Sequence, residues 1–401
     1  MSFAIAILGL AFLILIHEMG HFFASLAVGM RPRKFYIGFP PALVKVRRRG
    51  IEYGVGAIPL GGYVRIPGMH RPAAKDVDHV FSRALHAAPE LVGPAERLKR
   101  ALAAEDYESA KLRLAEFHQR ALELDVPSVE KQVVDLEDAL SPQAYWRAPT
   151  WKRITAIAAG PLTNLVFAIV LFAVVFMVAG WNATDKVAVV IKDSRAQAAG
   201  LKPNDQVVGI NGRPVTADKI SNMISASHGR PVALTVLRDG NLITLRAQRP
   251  ILDTSDNRYR LGFALAGQPL GFGPAIWQSF KTTGTVTRET ASALGGLFHS
   301  KDRKQFSSSV GIVKNSADAV HYGWASYLSI LAFISLSLAL FNLLPLLPLD
   351  GGHIAFSLLE GIRGRAIARE VYERVSAVGI TLFLLLFIIG LSNDVSRLGG
   401  G

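Results

Sequence analysis

Four long apolar segments constrain the fold of this chain more than any other feature. They run approximately over residues 3–28, 154–180, 324–349 and 375–391. A helix needs about 20 mainly apolar residues to cross the roughly 30 Å hydrocarbon core of a bilayer. With 50% hydrophobic residues among 401, the chain is predicted to be a multi-span α-helical membrane protein with four transmembrane helices and polar inserts between them.

Basic residues flank these spans unevenly. They follow the first span, precede the second, and lie between the third and the fourth: Arg31, Arg33, Lys34, Lys45, Arg47, Arg48, Arg49, Lys152, Arg153, Arg363, Arg365, Arg369 and Arg374. By the positive-inside rule those loops are cytosolic, so both termini and the long stretch between spans two and three are predicted to face outward. Topology accounts for the net charge of +13, and no nucleic-acid partner is predicted, because the basic residues form no known nucleic-acid module.

The first span carries ionisable residues, His17, Glu18 and His21, whereas the other three contain no Asp, Glu, Lys or Arg. The H-E-x-x-H spacing places both imidazoles on one helix face, with the glutamate beside the water of a bound metal. Such groups inside a span need a compensating partner, which argues against a chance match. A signal peptide is the alternative, but the segment lacks a positively charged start.

A third metal ligand is predicted at the end of the third span. Two prolines and two glycines break the helix there and place Asp350 at membrane depth or just below it. The chain has no cysteine, so a metal must be held by histidine and carboxylate. Two histidines and one carboxylate leave a fourth position for water, as in catalytic zinc sites. His353 could be a fourth ligand, but helix capping or a hydrogen bond to a ligand is favoured, because a closed site would lose the water.

Two polar inserts separate the spans. In the first, residues 94–125 have helical spacing without glycine and predict a helical hairpin, either a solvated helix pair or a cytosolic docking module. The second, about residues 185–250, alternates short strands, a helix and turns, and resembles a PDZ domain of the bacterial protease-associated type. The resemblance implies either a groove that binds an extended peptide or a steric plug that screens bulky domains.

Taken together, H-E-x-x-H in the first span and N-x-x-P-x-x-P-L-D-G-G-H in the third resemble the site-2 protease family, in its bacterial form that cleaves anti-sigma factors. The resemblance implies an intramembrane zinc metalloendopeptidase with one zinc ion per chain. In it, His17, His21 and Asp350 are the zinc ligands, Glu18 is the base, and Asn342 steadies the substrate or the oxyanion. The implied substrate is a single-span membrane protein such as an anti-sigma factor, cut first by a site-1 protease, in transmembrane signalling and stress response.

Two further stretches are candidates for contact with substrate. Residues 52–64 alternate small and apolar residues like a membrane-associated β-hairpin, whose edge could pair with an unwound substrate. A purely structural hairpin is the alternative. Residues 151–153 and 159–164, at the start of span two, resemble a motif of the same family, with close helix packing at Gly160 as the alternative. The predicted substrate-binding residues are Asn342, Gly54, Gly56, Gly61, Gly62 and Asn164.

The predicted order of parts is the first span (1–30), the β-hairpin region (31–68), the cytosolic helical insert (69–150), the second span (151–181), the extracytoplasmic PDZ-like α+β domain (183–252), an extracytoplasmic linker with an interfacial amphipathic helix (253–322), the third span (323–350), a cytosolic loop (351–374), the fourth span (375–393) and a tail (394–401). The amphipathic stretch contains Trp277, Phe280, Leu294 and Phe298. The predicted location is the cell membrane, with the active site toward the cytosol.

Three other functions remain open. Intramembrane His, Glu and Asp also mark ion or proton pathways, although a transporter predicts inverted repeats that four spans do not show. A noncatalytic scaffold that presents the PDZ-like domain would not need Glu18. A zinc peptidase that is merely anchored in the membrane would not take its third ligand from an apolar span.

Overall fold

The computed structural model describes residues 2–126, 129–253, 258–296, 319–320, 323–367 and 369–399. The chain divides into two compact units. One comprises Met1–Leu10, Leu165–Leu338 and Leu384–Gly401, and the other Ala11–Asn164 and Ala339–Phe383.

The helices, in chain order, are α1 (Ser2–Ala27), α2 (Ala74–Val80), α3 (Ser82–Ala87), α4 (Val92–Ala103), α5 (Tyr107–Glu123), α6 (Glu130–Leu140), α7 (Thr150–Val178), α8 (Arg195–Ala199), α9 (Ala217–Ser225), α10 (Phe272–Gly296), α11 (Trp324–Asn342), α12 (Asp350–Arg363) and α13 (Arg369–Gly399). The strands are β1 (Lys34–Arg48), β2 (Ile51–Arg65), β3 (Ala183–Val190), β4 (Gln206–Ile210), β5 (Arg213–Pro214), β6 (Leu234–Arg238), β7 (Asn241–Thr244), β8 (Ile251–Asp253), β9 (Arg258–Arg260) and β10 (Phe263–Gly267).

Within the described residues, α1, α7 and α11 are long and apolar enough to cross a membrane. They coincide with the first three apolar segments of the sequence. Helix α11 ends at Asn342, well before the predicted end of the third span, because Pro345 and Pro348 cannot continue a helix. The fourth segment lies inside α13, and its crossing of the membrane stays a prediction.

Strands β1 and β2 form a sheet of their own after α1. Residues 34–37 of β1 pair with 52–55 on one side and with 62–65 on the other, and residues 42–48 pair with 51–56. The segments 42–48 and 62–65 are therefore the two outer edges. Gly38, with φ of +87°, allows β1 to change direction between its two paired segments, because this conformation is rare for other residues.

The described part of the first polar insert contains helices α2 to α6, which pack around one apolar core. The predicted hairpin over 94–125 corresponds to α4 and α5, but it is not a separate module. Val77 of α2, Phe81 after it and Val133 of α6 are buried in the same core as Leu98 and Leu114. The sequence pattern does not indicate α2 and α3, because each helix is only about two turns long.

The second insert is rich in β-structure, with strands in the order β10-β3-β4-β6-β7 and β5 paired with β4. Helices α8 and α9 place Ala196, Ile220 and Ile224 in its apolar core. The sheet extends past the predicted domain boundary at residue 252, because β10 pairs with β3. Residues 253–322 are accordingly not only a linker, and the PDZ-like assignment remains a prediction.

The stretch predicted as amphipathic forms helix α10. Trp277 and Phe280 are exposed on it, while Ala275 and Ser279 are buried. Phe298 lies outside the described residues. An exposed aromatic face opposite a buried face of small residues is typical of a helix at a membrane surface.

Candidate active site

Three predicted ligand atoms converge on one point. Nε2 of His17 and Nε2 of His21 lie 3.2 Å apart, and Oδ2 of Asp350 lies 3.2 Å from the first and 3.3 Å from the second. Ligands at about 2.0–2.2 Å from a tetrahedral zinc ion are separated by roughly 3.3 Å. The donor set therefore fits zinc in both chemistry and spacing. Among the described residues, His17, His21 and Asp350 form a group whose ligand atoms lie close enough together to hold a metal ion.

The His21 ring is oriented by α7. Its Nδ1 lies 3.0 Å from the backbone oxygen of Ala156, so the ring donates there and leaves Nε2 free to bind a metal. A Cβ added at Gly160 would overlap with the His21 imidazole. A Cβ at Gly20 would lie 2.5 Å from the backbone oxygen of Ala159. The two glycines thus allow α1 and α7 to approach closely enough for the His21 hydrogen bond to form.

Asp350 is the first residue of α12. The N-cap, Leu349, is extended, with φ of −70° and ψ of 159°. A Cβ added at Gly352 would lie 2.5 Å from the backbone nitrogen of Leu347, and one at Gly351 would overlap with the Leu343 backbone. The two glycines therefore let the first turn of α12 pack tightly on the loop that follows α11, which fixes the position of Asp350.

The rest of α12 is anchored to the start of α7. Arg153 and Glu360 form an ion pair in which both side chains are only 9% exposed. Glu360 also accepts a hydrogen bond of 2.8 Å from the backbone N–H of Ile367. Arg153 lies one helical turn before Ala156, so the same stretch of α7 contacts both the helix of Asp350 and the ring of His21.

A second contact on α12 joins the hydroxyls of Tyr145 and Ser357, which lie 2.9 Å apart. Burial raises the pKa of Tyr145 to about 12, so its hydroxyl keeps its proton and can donate to Ser357. Both groups are buried, and their pairing avoids the cost of an unsatisfied polar atom.

Glu18 contacts the β1–β2 sheet. The backbone amide of Val64 lies close to its carboxylate. A Cβ added at Gly62 would lie 2.9 Å from Cγ of Glu18. The outer segment 62–65 therefore runs beside the side chain that was predicted to act as the base.

The other predicted site residues lie in different surroundings. Cβ atoms added at Gly54 and Gly61 would overlap with the rings of Tyr36 and Phe39, and one at Gly56 with the Phe39 backbone. Asn164 is fully buried on α7, one turn after Gly160, and Asn342 is the last residue of α11. His353 lies outside the converging ligand group and packs near the ring of Tyr372, with centroids 6.5 Å apart.

Two residues that contribute to the site, Ala156 and Glu360, were not predicted. Ala156 acts through its backbone oxygen, and nothing in a sequence marks a particular carbonyl. The charges of Arg153 and Glu360, which lie outside the apolar segments, do not indicate that they pair. The described part of the chain offers no hydrogen-bond acceptor to Nδ1 of His17.

Comparisons with known proteins agree with this geometry. The model of peptidase family M50 matches residues 5–386. The regulator of sigma-W protease RasP of Bacillus subtilis is 27% identical over 407 residues, covering 96% of this chain and 96% of that protein. The zinc metalloprotease RasP of Bacillus licheniformis is 27% identical over 406 residues, with 96% of each chain covered.

Proposed function

The chain belongs to peptidase family M50 and is a zinc metalloendopeptidase of the membrane, and from this membership we propose that it cuts single-span membrane proteins within the bilayer. One observation carries the proposal. His17 and His21 lie on an apolar helix of spanning length, and Asp350 follows the end of another by eight residues. A protease for soluble substrates has no need to build its site from two such helices, because ionisable groups there are costly.

We assign the metal to His17, His21 and Asp350. A zinc ion bound there acts as a Lewis acid and lowers the pKa of its water to about 7. Glu18, which lies beside segment 62–65, takes the proton from the attacking water and delivers it to the leaving amine. Asn342 donates to the oxyanion, a contribution of about 10²–10³ in rate at comparable sites.

The substrate must be unwound before its carbonyls can be attacked, because a helix keeps its backbone groups in internal hydrogen bonds. The outer segment 62–65 is an edge to which an extended substrate could add a strand, and its neighbour Glu18 would then face the substrate backbone. Gly62 keeps this edge open beside the base. Gly54, Gly56 and Gly61 contribute to substrate binding indirectly, because they allow Tyr36 and Phe39 to pack in the sheet.

The biological role that we propose is regulated intramembrane proteolysis. The Bacillus subtilis relative is named a regulator of sigma-W protease, which favours an anti-sigma-factor-like substrate here. The β-rich domain of residues 183–267, with both termini, would face outward and screen substrates that another protease has already shortened. The proposed topology has four spans, of which α13 supplies the last, and its active site lies toward the cytosolic side of the membrane.

The test is co-expression with a panel of single-span proteins that carry a tag on the cytosolic side. The intact chain should release a tagged fragment from at least one of them, and Glu18→Gln should release none. A matched control is Glu123→Gln, which changes the same group on the exposed surface of α5. Undiminished cleavage by Glu18→Gln, or cleavage that a zinc chelator does not inhibit, would refute the proposal.

A further inference from the structure

An acidic side chain of α6 joins the helical insert to the strand segment beside Glu18. Asp138 is buried and accepts a hydrogen bond of 2.7 Å from Nε of Arg33. Its other oxygen lies 3.4 Å from Nη2 of Arg65, which also contacts Asp135 of the same helix. The backbone N–H of Arg33 donates to the oxygen of Arg65 at 2.7 Å. Two arginines at one end of the β1–β2 sheet therefore attach that sheet to helix α6.

The segment that Arg65 ends is the one that lies beside Glu18. A Cβ added at Gly62, three residues before Arg65, would lie 2.9 Å from Cγ of Glu18. The backbone amide of Val64, which directly precedes Arg65, also lies close to the Glu18 carboxylate. The position of this backbone therefore limits where the carboxylate can lie.

Helix α6 is itself firmly placed. Val133 and Leu140 are buried, Val133 completely, in the apolar core of the insert. The indole of Trp146 donates to the backbone oxygen of Ala139 at 2.8 Å, and the N–H of Tyr145 donates to the oxygen of Pro67 at 2.9 Å. These contacts hold the C-terminal end of α6 against the chain that leaves β2, so α6 can serve as a rigid support.

We propose that Arg65 and Asp138 are positioning residues for Glu18, so that the helical insert sets the rate of cleavage. The inference rests on the proposed function, in which Glu18 is the base. A misplacement of about 1 Å at a catalytic group can cost about 100-fold in rate. A loosened segment 62–65 would allow a displacement of that size, since its backbone packs against Glu18.

The test variant is Arg65→Gln, which removes both contacts with α6 and leaves the Arg33–Asp138 pair in place. The full-length protein is reconstituted with a single-span protein that the unchanged chain cuts. We expect kcat to fall about 10- to 100-fold, with KM within about twofold and zinc at one ion per chain. Arg65→Lys, which keeps a charge within reach of Asp138, should recover part of kcat. The matched control is Arg120→Gln, which breaks an exposed pair on α5 and should change nothing.

A second measurement needs no substrate. Amide hydrogen exchange over residues 62–66 should quicken in Arg65→Gln and remain unchanged in Arg120→Gln. Unchanged exchange there would overturn the inference, and so would a raised KM with normal kcat, which would assign the contact to substrate pairing. Loss of zinc from the variant would overturn it as well, because the contact would then support the whole fold.

The result for Glu18→Gln separates this inference from the proposed function. If Glu18→Gln cuts at the normal rate, the assignment of the base is wrong. If Glu18→Gln is inactive while Arg65→Gln keeps its kcat, only the positioning role is wrong.

Discussion

Replacing Gly160 by alanine tests how the site holds His21. The added methyl group would overlap with the imidazole, with Cε1 and Cδ2 of the ring only 2.6 and 2.7 Å from the new Cβ. Nε2 of the ring lies nearer still, and ordinary contacts begin at about 3.4 Å, so the ring would have to move by at least roughly 0.8 Å. The backbone of α7 can accept alanine without strain, because alanine favours helix by about 1 kcal/mol over glycine.

The displacement exceeds what a zinc site tolerates, since ligand distances vary by only about 0.2 Å. Moving the ring also lengthens its 3.0 Å hydrogen bond to Ala156. Loss of such an outer partner alone typically lowers metal affinity 10- to 100-fold. We therefore expect Gly160→Ala to bind zinc at least about 100-fold more weakly than the unchanged chain, while its helical content stays the same.

The assay is a zinc titration of the purified, metal-stripped protein in competition with a chelator of known affinity. The matched control is Gly284→Ala on α10, where a Cβ would meet nothing within 4 Å. That variant should keep its zinc affinity and unfold at the same or a slightly higher temperature. Normal zinc affinity in Gly160→Ala would refute the argument that close approach of α1 and α7 orients His21.

Three further predictions concern stability. Glu360→Gln leaves the Arg153 charge buried without its partner and should destabilise the protein by about 3–5 kcal/mol. The measurement is the unfolding temperature, which should fall. The control is Glu108→Gln, at an exposed position on α5, which should leave the unfolding temperature unchanged. Asp205→Asn should destabilise the β-rich domain by about 2–3 kcal/mol, measured as faster amide exchange in β4 and β6. Burial would raise the pKa of Asp205, but hydrogen bonds from Arg238 and the Lys202 amide hold it below its ordinary value, so the unchanged protein should lose this same stabilisation as the pH falls below about 4. Zinc at a free concentration 100 times its Kd should stabilise the folded protein by about 2.7 kcal/mol. Removing it with a chelator should therefore lower the unfolding temperature, and added zinc should restore that temperature.

The sequence predicts well those elements of the fold that a long local pattern marks. Helices α1 and α7 begin and end within a few residues of their apolar segments, because a spanning helix satisfies its own backbone and needs only length and hydropathy. Strand β10 was missed for the opposite reason. It pairs with β3 from more than 70 residues away in the chain, and no local pattern records that pairing. Helices α2 and α3 were missed because they are short and are stabilised by the core they share with α4 to α6.

The residues of the site also fall into those that a sequence pattern marks and those that it does not mark. The side chains that would perform the chemistry, His17, Glu18, His21 and Asp350, stand out because ionisable groups are rare in or beside apolar segments. The groups that orient them do not stand out, because a carbonyl at Ala156 or an amide at Val64 is present at every residue. Their role follows only from which backbone is brought close, and small residues such as Gly160 and Gly62 decide that.

Three of the ionisable groups in this site depend on different elements of the chain. The His21 ring is held by α7, the Glu18 carboxylate by β2, and Asp350 by the loop before α12. Polar groups in an apolar environment are costly unless they are paired, so each of these contacts stabilises the element that supplies it as well as the side chain that it orients. Arg153–Glu360 and Arg65–Asp138 then fix α12 and β2 from outside the apolar segments. A change in either ion pair should therefore affect the chemistry selectively, with Glu360→Gln acting on zinc affinity through Asp350 and Arg65→Gln acting on kcat through Glu18. Equal effects of both variants on both quantities would show that the site responds only as a single unit.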